Sequence, residues 1–234
     1  MRTDEDVIRD SADLVRCCAH RDKSEHRSMT IKFLLENLKS SGCDVPAYKE
    51  FVRCAKCPSK MAGAFGMNIE KLDGDGADVN KVLGEGNKRT GALENNLKSV
   101  AAAPRNKPNI LLCSNAAFSY DFVEETISHE LIHAIDICRA KLPKDESGQW
   151  SSCRQMACSE IRASNLSGEC RWGKEFWRGN GMKIGGQQMA CVKRRANLSL
   201  KAHEKCADKS EKIIESIFDV CYRDTYPFER HPDS

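Results

Sequence analysis

Ser128-His129-Glu130-Leu131-Ile132-His133-Ala134-Ile135-Asp136 sets an H-E-x-x-H motif inside a run of helical periodicity. Between residues 122 and 141 the apolar residues Val123, Ile127, Leu131, Ile132 and Ile135 recur every three or four positions, which predicts a helix with one core-facing stripe. Asp121 is the expected N-cap, Glu124 and Glu125 suit the positive end of the helix dipole, and Pro143 marks the far limit. Positions four apart on a helix lie one above the other, so His129 and His133 can offer imidazole nitrogens to one metal ion with Glu130 beside it. Two core histidines without a metal are the competing reading. The helical setting and the apolar flanks Leu131 and Ile132, which press the helix onto a core, favour zinc.

A catalytic zinc keeps three protein ligands and an open position, so a third ligand is required. Asp136 lies near the face of His133 but roughly 10 Å along the axis from His129, at 1.5 Å rise per residue, too far for all three to hold one ion. It is expected in a salt bridge, in solvent, or orienting a ligand histidine. Glu160 fits better. Residues 151–163 read as a second helix with a serine N-cap, with Met156, Ala157, Ile161 and Leu166 on its buried side, and Gly168 can end it. Glu160 is flanked by Ala157, Ile161 and Ala163, and a carboxylate there is costly to bury without a cation. Metal ligation resolves that cost, and an ion pair with Arg162 is the alternative. Two histidines and a glutamate from a following helix form a ligand set known from hydrolytic zinc enzymes. Zinc in such a set lowers the pKa of a water to about 7 and polarises a carbonyl. Glu130 is the expected general base, taking the water's proton and delivering it to the leaving amine. Tyr222, Tyr226, His203 and His231 are all candidates for stabilising an oxyanion, and nothing in the sequence separates them.

A chain of 234 residues with 40% apolar residues suffices for one sizeable core. Its formal charge of +3 is too small to imply a nucleic-acid partner, and Val192-Lys193-Arg194-Arg195 reads as a solvated helix face. No apolar stretch approaches the ~18 residues of a transmembrane helix. Met1-Arg2-Thr3-Asp4-Glu5-Asp6 has neither the apolar core of a signal peptide nor the acid-poor, arginine-rich character of a matrix-targeting segment.

Thirteen cysteines are scattered along the chain. Only Cys54-x-x-Cys57 has metal-ligand spacing, and no downstream pair completes a zinc ribbon. Cys138, Cys153, Cys158 and Cys221 fall on expected helices, a pattern that suggests disulfides stapling helices in an oxidising compartment, against inert thiols in a cytosolic protein. The odd count leaves at least one thiol unpaired.

Elsewhere, residues 7–18 and 28–40 read as helices, the second with Ile31, Leu34, Leu35 and Leu38 on one stripe. Residues 62–69 and 109–113 read as short strands. The stretch 70–107 between them is rich in Gly, Asn, Lys and Asp, and is expected to be a flexible insertion without the ligand spacing of a calcium loop. Residues 187–198 and 209–222 read as helices, the latter with Ile213, Ile214, Ile217, Phe218 and Cys221 facing inward.

Taken with the motif, Ala157-Cys158-Ser159-Glu160-Ile161-Arg162-Ala163-Ser164-Asn165-Leu166-Ser167-Gly168-Glu169-Cys170 and Cys191-Val192-Lys193-Arg194-Arg195-Ala196 closely resemble the mitochondrial metalloproteases of ATP synthase assembly, whose animal members are also labelled Ku-binding proteins. The resemblance covers most of 12–69 and 109–228, including Asp224 and Pro227-Phe228, and not the insertion. It implies a Zn2+ endopeptidase of the intermembrane space, peripheral to the inner membrane, that processes the ATP synthase subunit 6 precursor and assists assembly of the membrane sector alongside inner-membrane partners. It also implies cysteines oxidised during import; Cys18, Cys153 and Cys206 look additional to the usual set. A non-proteolytic assembly chaperone and a nuclear metalloprotease of DNA repair are the readings from other classes, and no basic patch or zinc ribbon supports the nuclear one. The expected fold class is α+β: a compact, zincin-like metalloprotease domain, mostly helical, with a small antiparallel sheet. The expected organisation is a cysteine-containing helical segment over 1–60, the catalytic domain over 61–228 and a tail over 229–234.

Overall fold

A computed structural model describes residues 4–43, 45–57, 63–66, 109–140, 152–177 and 186–233. In chain order the elements are α1 (Asp4–Arg27), α2 (Met29–Ser40), α3 (Tyr48–Phe51), β1 (Val52–Ala55), β2 (Gly63–Gly66) and β3 (Asn109–Cys113), then a 3-10 turn (Ser114–Ala116). They continue with α4 (Tyr120–Ala140), α5 (Cys153–Leu166), α6 (Trp172–Trp177), α7 (Gln187–Lys201), α8 (Glu204–Ala207) and α9 (Ser210–Arg223). The chain forms two compact units: Met1–Leu35 with Gly42–Ile127, and Glu36–Ser41 with Ser128–Ser234. Among the described residues no helix is long and apolar enough to cross a membrane. The expected insertion at 70–107 lies outside the described residues.

In the first unit α1 extends well beyond the expected 7–18. Its second half is polar in sequence, yet Arg21 and Ser24 are buried with partners: Arg21 donates to the Val52 carbonyl at 3.4 Å and pairs with Asp22 at 2.8 Å, and Ser24 Oγ lies 2.8 Å from the Tyr48 hydroxyl. Ser28 then caps α2, its Oγ accepting from the Ile31 N–H at 3.1 Å. On α2 the expected stripe is inward, with Ile31, Leu34 and Leu38 buried and Leu35 half-buried.

The sheet has three strands in the order β1-β3-β2. Strand β3 is buried at all five positions, as its uninterrupted apolar run requires. The expected antiparallel pairing joins β2 to β3, with Gly63 opposite Leu112 and Gly66 opposite Asn109. Strand β1, unforeseen from sequence, pairs parallel to β3 from Val52 opposite Ile110 to Ala55 opposite Cys113, so the sheet is mixed and not purely antiparallel. A parallel pair needs a long connection and leaves no hairpin signal, and four residues are too few to set a period. Disulfides Cys17–Cys54 and Cys57–Cys113 tie α1 to β1 and the end of β1 to β3.

The second unit is built around α5, which packs on α7 and α9 through Met156, Ala157, Ile161, Val192, Ala196, Leu200, Ile214, Ile217 and Phe218. Disulfides Cys153–Cys206, Cys158–Cys221 and Cys170–Cys191 cross this core. Val123, Ile127, Leu131, Ile132 and Ile135 of α4 are all buried, as the motif's flanks predicted. The expected cap is two residues off: Ser119 Oγ accepts from the Phe122 N–H at 3.2 Å, and Asp121 lies in the first turn. Ser152 stands at the N-cap of α5 without a side-chain bond. The other end of α5 stops at Gly168, whose φ of +86° is the left-handed conformation that glycine adopts without strain. That reversal turns Glu169 and Cys170 into the interior.

Candidate metal centre

Helix α4 supplies His129, Glu130, His133 and Asp136, and α5 supplies Ser159, Glu160 and Arg162. The one-turn spacing brings the two histidine Nε2 atoms within 3.1 Å of each other. Glu160 faces both, with Oε2 3.6 Å from His129 Nε2 and Oε1 3.6 Å from His133 Nε2. One donor atom from each of the three residues can be chosen so that all lie within 4.8 Å of one another.

The donor set fits a metal ion on its own chemistry. Glu160 Oε2 is buried and has no hydrogen-bond partner among the described residues, although an orphaned buried carboxylate oxygen costs free energy. Two imidazoles and one carboxylate converging on one point, each with a nitrogen or oxygen lone pair turned inward, match the donors and number of a three-ligand zinc site.

Without a cation the cluster divides its charge unevenly. Burial raises the Glu160 carboxyl, but His133 and His129 outweigh it and hold the group down at about 2. Burial lowers His133 to about 4 against the pull of Glu160. Burial also works against a charged His129, yet Glu169 and Glu160 carry it well above the usual histidine value. The cluster therefore favours positive charge on His129 over His133, and a cation between them would take over that charge.

Each histidine is held from behind. His133 Nδ1 is 2.7 Å from Ser159 Oγ, and that hydroxyl donates to Asp136 Oδ2 at 2.8 Å. Asp136 is thus buried and takes Arg162 Nε at 2.9 and 3.1 Å on its two oxygens. Of the roles open to it from sequence, it takes the salt bridge and the orienting chain together. Arg162 pairs with Asp136 and Asp224, leaving Glu160 to the histidines. Behind His129, Nδ1 lies 3.3 Å from Glu169 Oε1, and Glu169 is paired with Arg195.

Glu130 is buried next to His129 in the chain. The side chains of three of the four oxyanion candidates have partners of their own. Tyr222 stacks on Phe218 with ring centroids 5.2 Å apart, and Tyr226 donates to Asn37 Oδ1 at 3.0 Å. His231 Nε2 sits 3.0 Å from the Asn165 carbonyl. The run 193–195 is a partly solvated face, its side chains 38–41% exposed, and each is paired: Lys193 with Glu215, Arg194 with the buried Glu175, and Arg195 with the buried Glu169. Sequence reasoning missed Glu169 and Ser159. The signal for Glu169 was Gly168, because a left-handed stop turns the next residue back toward the helix.

The sequence model of the Peptidase M76 family matches residues 88–229, more than half of the chain. Curated relatives include the mitochondrial inner membrane protease atp23 of Neosartorya fischeri, 33% identical over 96% of this chain and 76% of its own length. Proteins of the same name from Aspergillus clavatus and Botryotinia fuckeliana are 32% and 31% identical, over 97% of this chain and 78% and 79% of theirs. No solved structure matches the chain.

Proposed function

Because this chain belongs to the peptidase M76 family and is a metallopeptidase, we propose that its centre is a zinc site of His129, His133 and Glu160 with Glu130 as general base. The observation that carries the reading is the buried Glu160 carboxylate facing two imidazole nitrogens, one oxygen toward each, with Oε2 lacking a hydrogen-bond partner among the described residues. Bound zinc supplies the positive charge that acidifies water and polarises a peptide carbonyl. His129 and His133 present Nε2 to it because their Nδ1 atoms are turned to Glu169 and Ser159. Glu160 offsets part of the charge, and Glu130 takes the proton of the attacking water and returns it to the amide nitrogen as the C–N bond breaks.

The substrate in this reading is the ATP synthase subunit 6 precursor, and the chain also assists assembly of the membrane sector with inner-membrane partners. It works in the intermembrane space, peripheral to the inner membrane. Two facts support the location: relatives bear the name mitochondrial inner membrane protease, and twelve of the thirteen cysteines are in disulfides, which persist in oxidising compartments.

Metal analysis of purified protein tests the centre. The wild type is expected to carry about one zinc per chain, and Glu160→Ala is expected to lose most of it while keeping its far-UV circular dichroism. Undiminished zinc in that variant removes Glu160 from the ligand set.

A further inference from the structure

Glu169 lies outside the ligand set, yet it is buried and aimed at it. Its Oε1 is at ion-pair distance, 3.3 Å, from His129 Nδ1, a buried nitrogen with no hydrogen-bond partner among the described residues. Its second oxygen takes the guanidinium of Arg195, which reaches inward from α7. The pair is fixed on two sides. Cys170, next in the chain, is bonded to Cys191, and Cys191 stands one helical turn before Arg195 on the same face of α7. On the other side Gly168, at φ +86°, sets the direction in which Glu169 enters.

The two histidines are thus backed differently, His133 by a hydroxyl that leans on Asp136 and His129 by a carboxylate. An imidazole has two nitrogens and only one of them can face the ligand cluster. A carboxylate on Nδ1 keeps the proton there, leaves the Nε2 lone pair free toward His133 and Glu160, and makes that lone pair more basic. Arg195 takes one oxygen of Glu169, and the other lies against the ring nitrogen of His129.

We propose that Glu169, anchored by Arg195, is a positioning residue that fixes the tautomer and orientation of His129; this rests on the reading of the cluster as a metal site. Partners of this kind typically alter metal affinity by about 10–100-fold.

The test uses the full chain, loaded with zinc or cobalt(II) alone. Zinc affinity is measured by chelator competition and the visible spectrum of the cobalt form is recorded for wild type, Glu169→Gln, Arg195→Met and Lys193→Met. The last removes an ion pair of α7 that does not touch the cluster. Glu169→Gln is expected to weaken zinc about 10–100-fold and to change the cobalt spectrum, Arg195→Met to do so to a smaller extent, and Lys193→Met to do neither. Glu169→Asp, which restores the charge, should recover part of the loss. Nitrogen-15 correlation spectra of the zinc-loaded wild type should show His129 protonated at Nδ1. A wild type that binds no zinc overturns the metal site itself. Tight zinc with wild-type affinity and spectrum in Glu169→Gln, or His129 protonated at Nε2 in the loaded protein, overturns the role of Glu169 alone. Should Glu169→Gln fail to fold, the wild-type tautomer decides.

Discussion

Arg162 illustrates how much one side chain organises. Only 1% of it is exposed, and it joins Asp136, Asp224 and the Tyr226 carbonyl. Arg162→Met takes from the buried Asp136 its nearer cation and leaves only Arg139 at 3.6 Å; the cost should approach that of a broken buried pair, about 3–5 kcal/mol, lowering the denaturant midpoint and loosening the Ser159–His133 bond. The cluster also sets a pH dependence for the metal-free protein. His133 titrates lower when folded, at about 4 against 6.5, so its contribution is whole above 6.5 and is lost as pH falls toward 4. His129 titrates higher when folded, so its contribution is whole below 6.5 and is lost as pH rises through the folded value. Glu160, held at about 2, extends the acid loss below 4.5. Metal-free stability should therefore peak near pH 6.5, measured by urea unfolding across pH 4–9, and the double variant His129→Gln/His133→Gln should lack that peak.

At the level of elements, what could be read from sequence was what local periodicity encodes. The stripe of α4 and the inward faces of α2, α5 and α9 follow from apolar spacing alone, and His129 and His133 follow from it as a pair. Glu160 was legible because a carboxylate on an apolar helix face needs a cation. The polar half of α1, the parallel strand β1, and the partners Ser159 and Glu169 are fixed by contacts between residues distant in sequence, which no local period announces. The cysteines behave similarly: stapled helices were expected, while the pairing Cys153–Cys206 and the free, buried Cys18 needed the fold. Alkylation of denatured, unreduced protein should accordingly label one thiol, at Cys18, and labelling of several would refute the oxidised state. Breaking Cys158–Cys221 by a double serine substitution should cost about 2–4 kcal/mol, because the bond closes a long loop in the unfolded chain.

Across the whole molecule, the residues that bear the proposed chemistry all belong to the second compact unit, on α4, on α5 and just past Gly168. All six cysteines of the three disulfides that cross that unit's core are buried in it or packed against it, and Glu169 and Asp136 are buried as well. The centre thus joins α4, through the bonds of His133 to Ser159 and Asp136 to Arg162, to a helix stapled to its neighbours, which suits a site that must keep three ligands and a base in register. The account stands on the distinction between binding and chemistry at Glu130. Zinc content and cleavage of the subunit 6 precursor, measured side by side for wild type and Glu130→Gln, test it most directly. The account predicts unchanged zinc with cleavage reduced about 10²–10⁴-fold, the usual worth of a general base. Full cleavage by the zinc-loaded Glu130→Gln protein would contradict it.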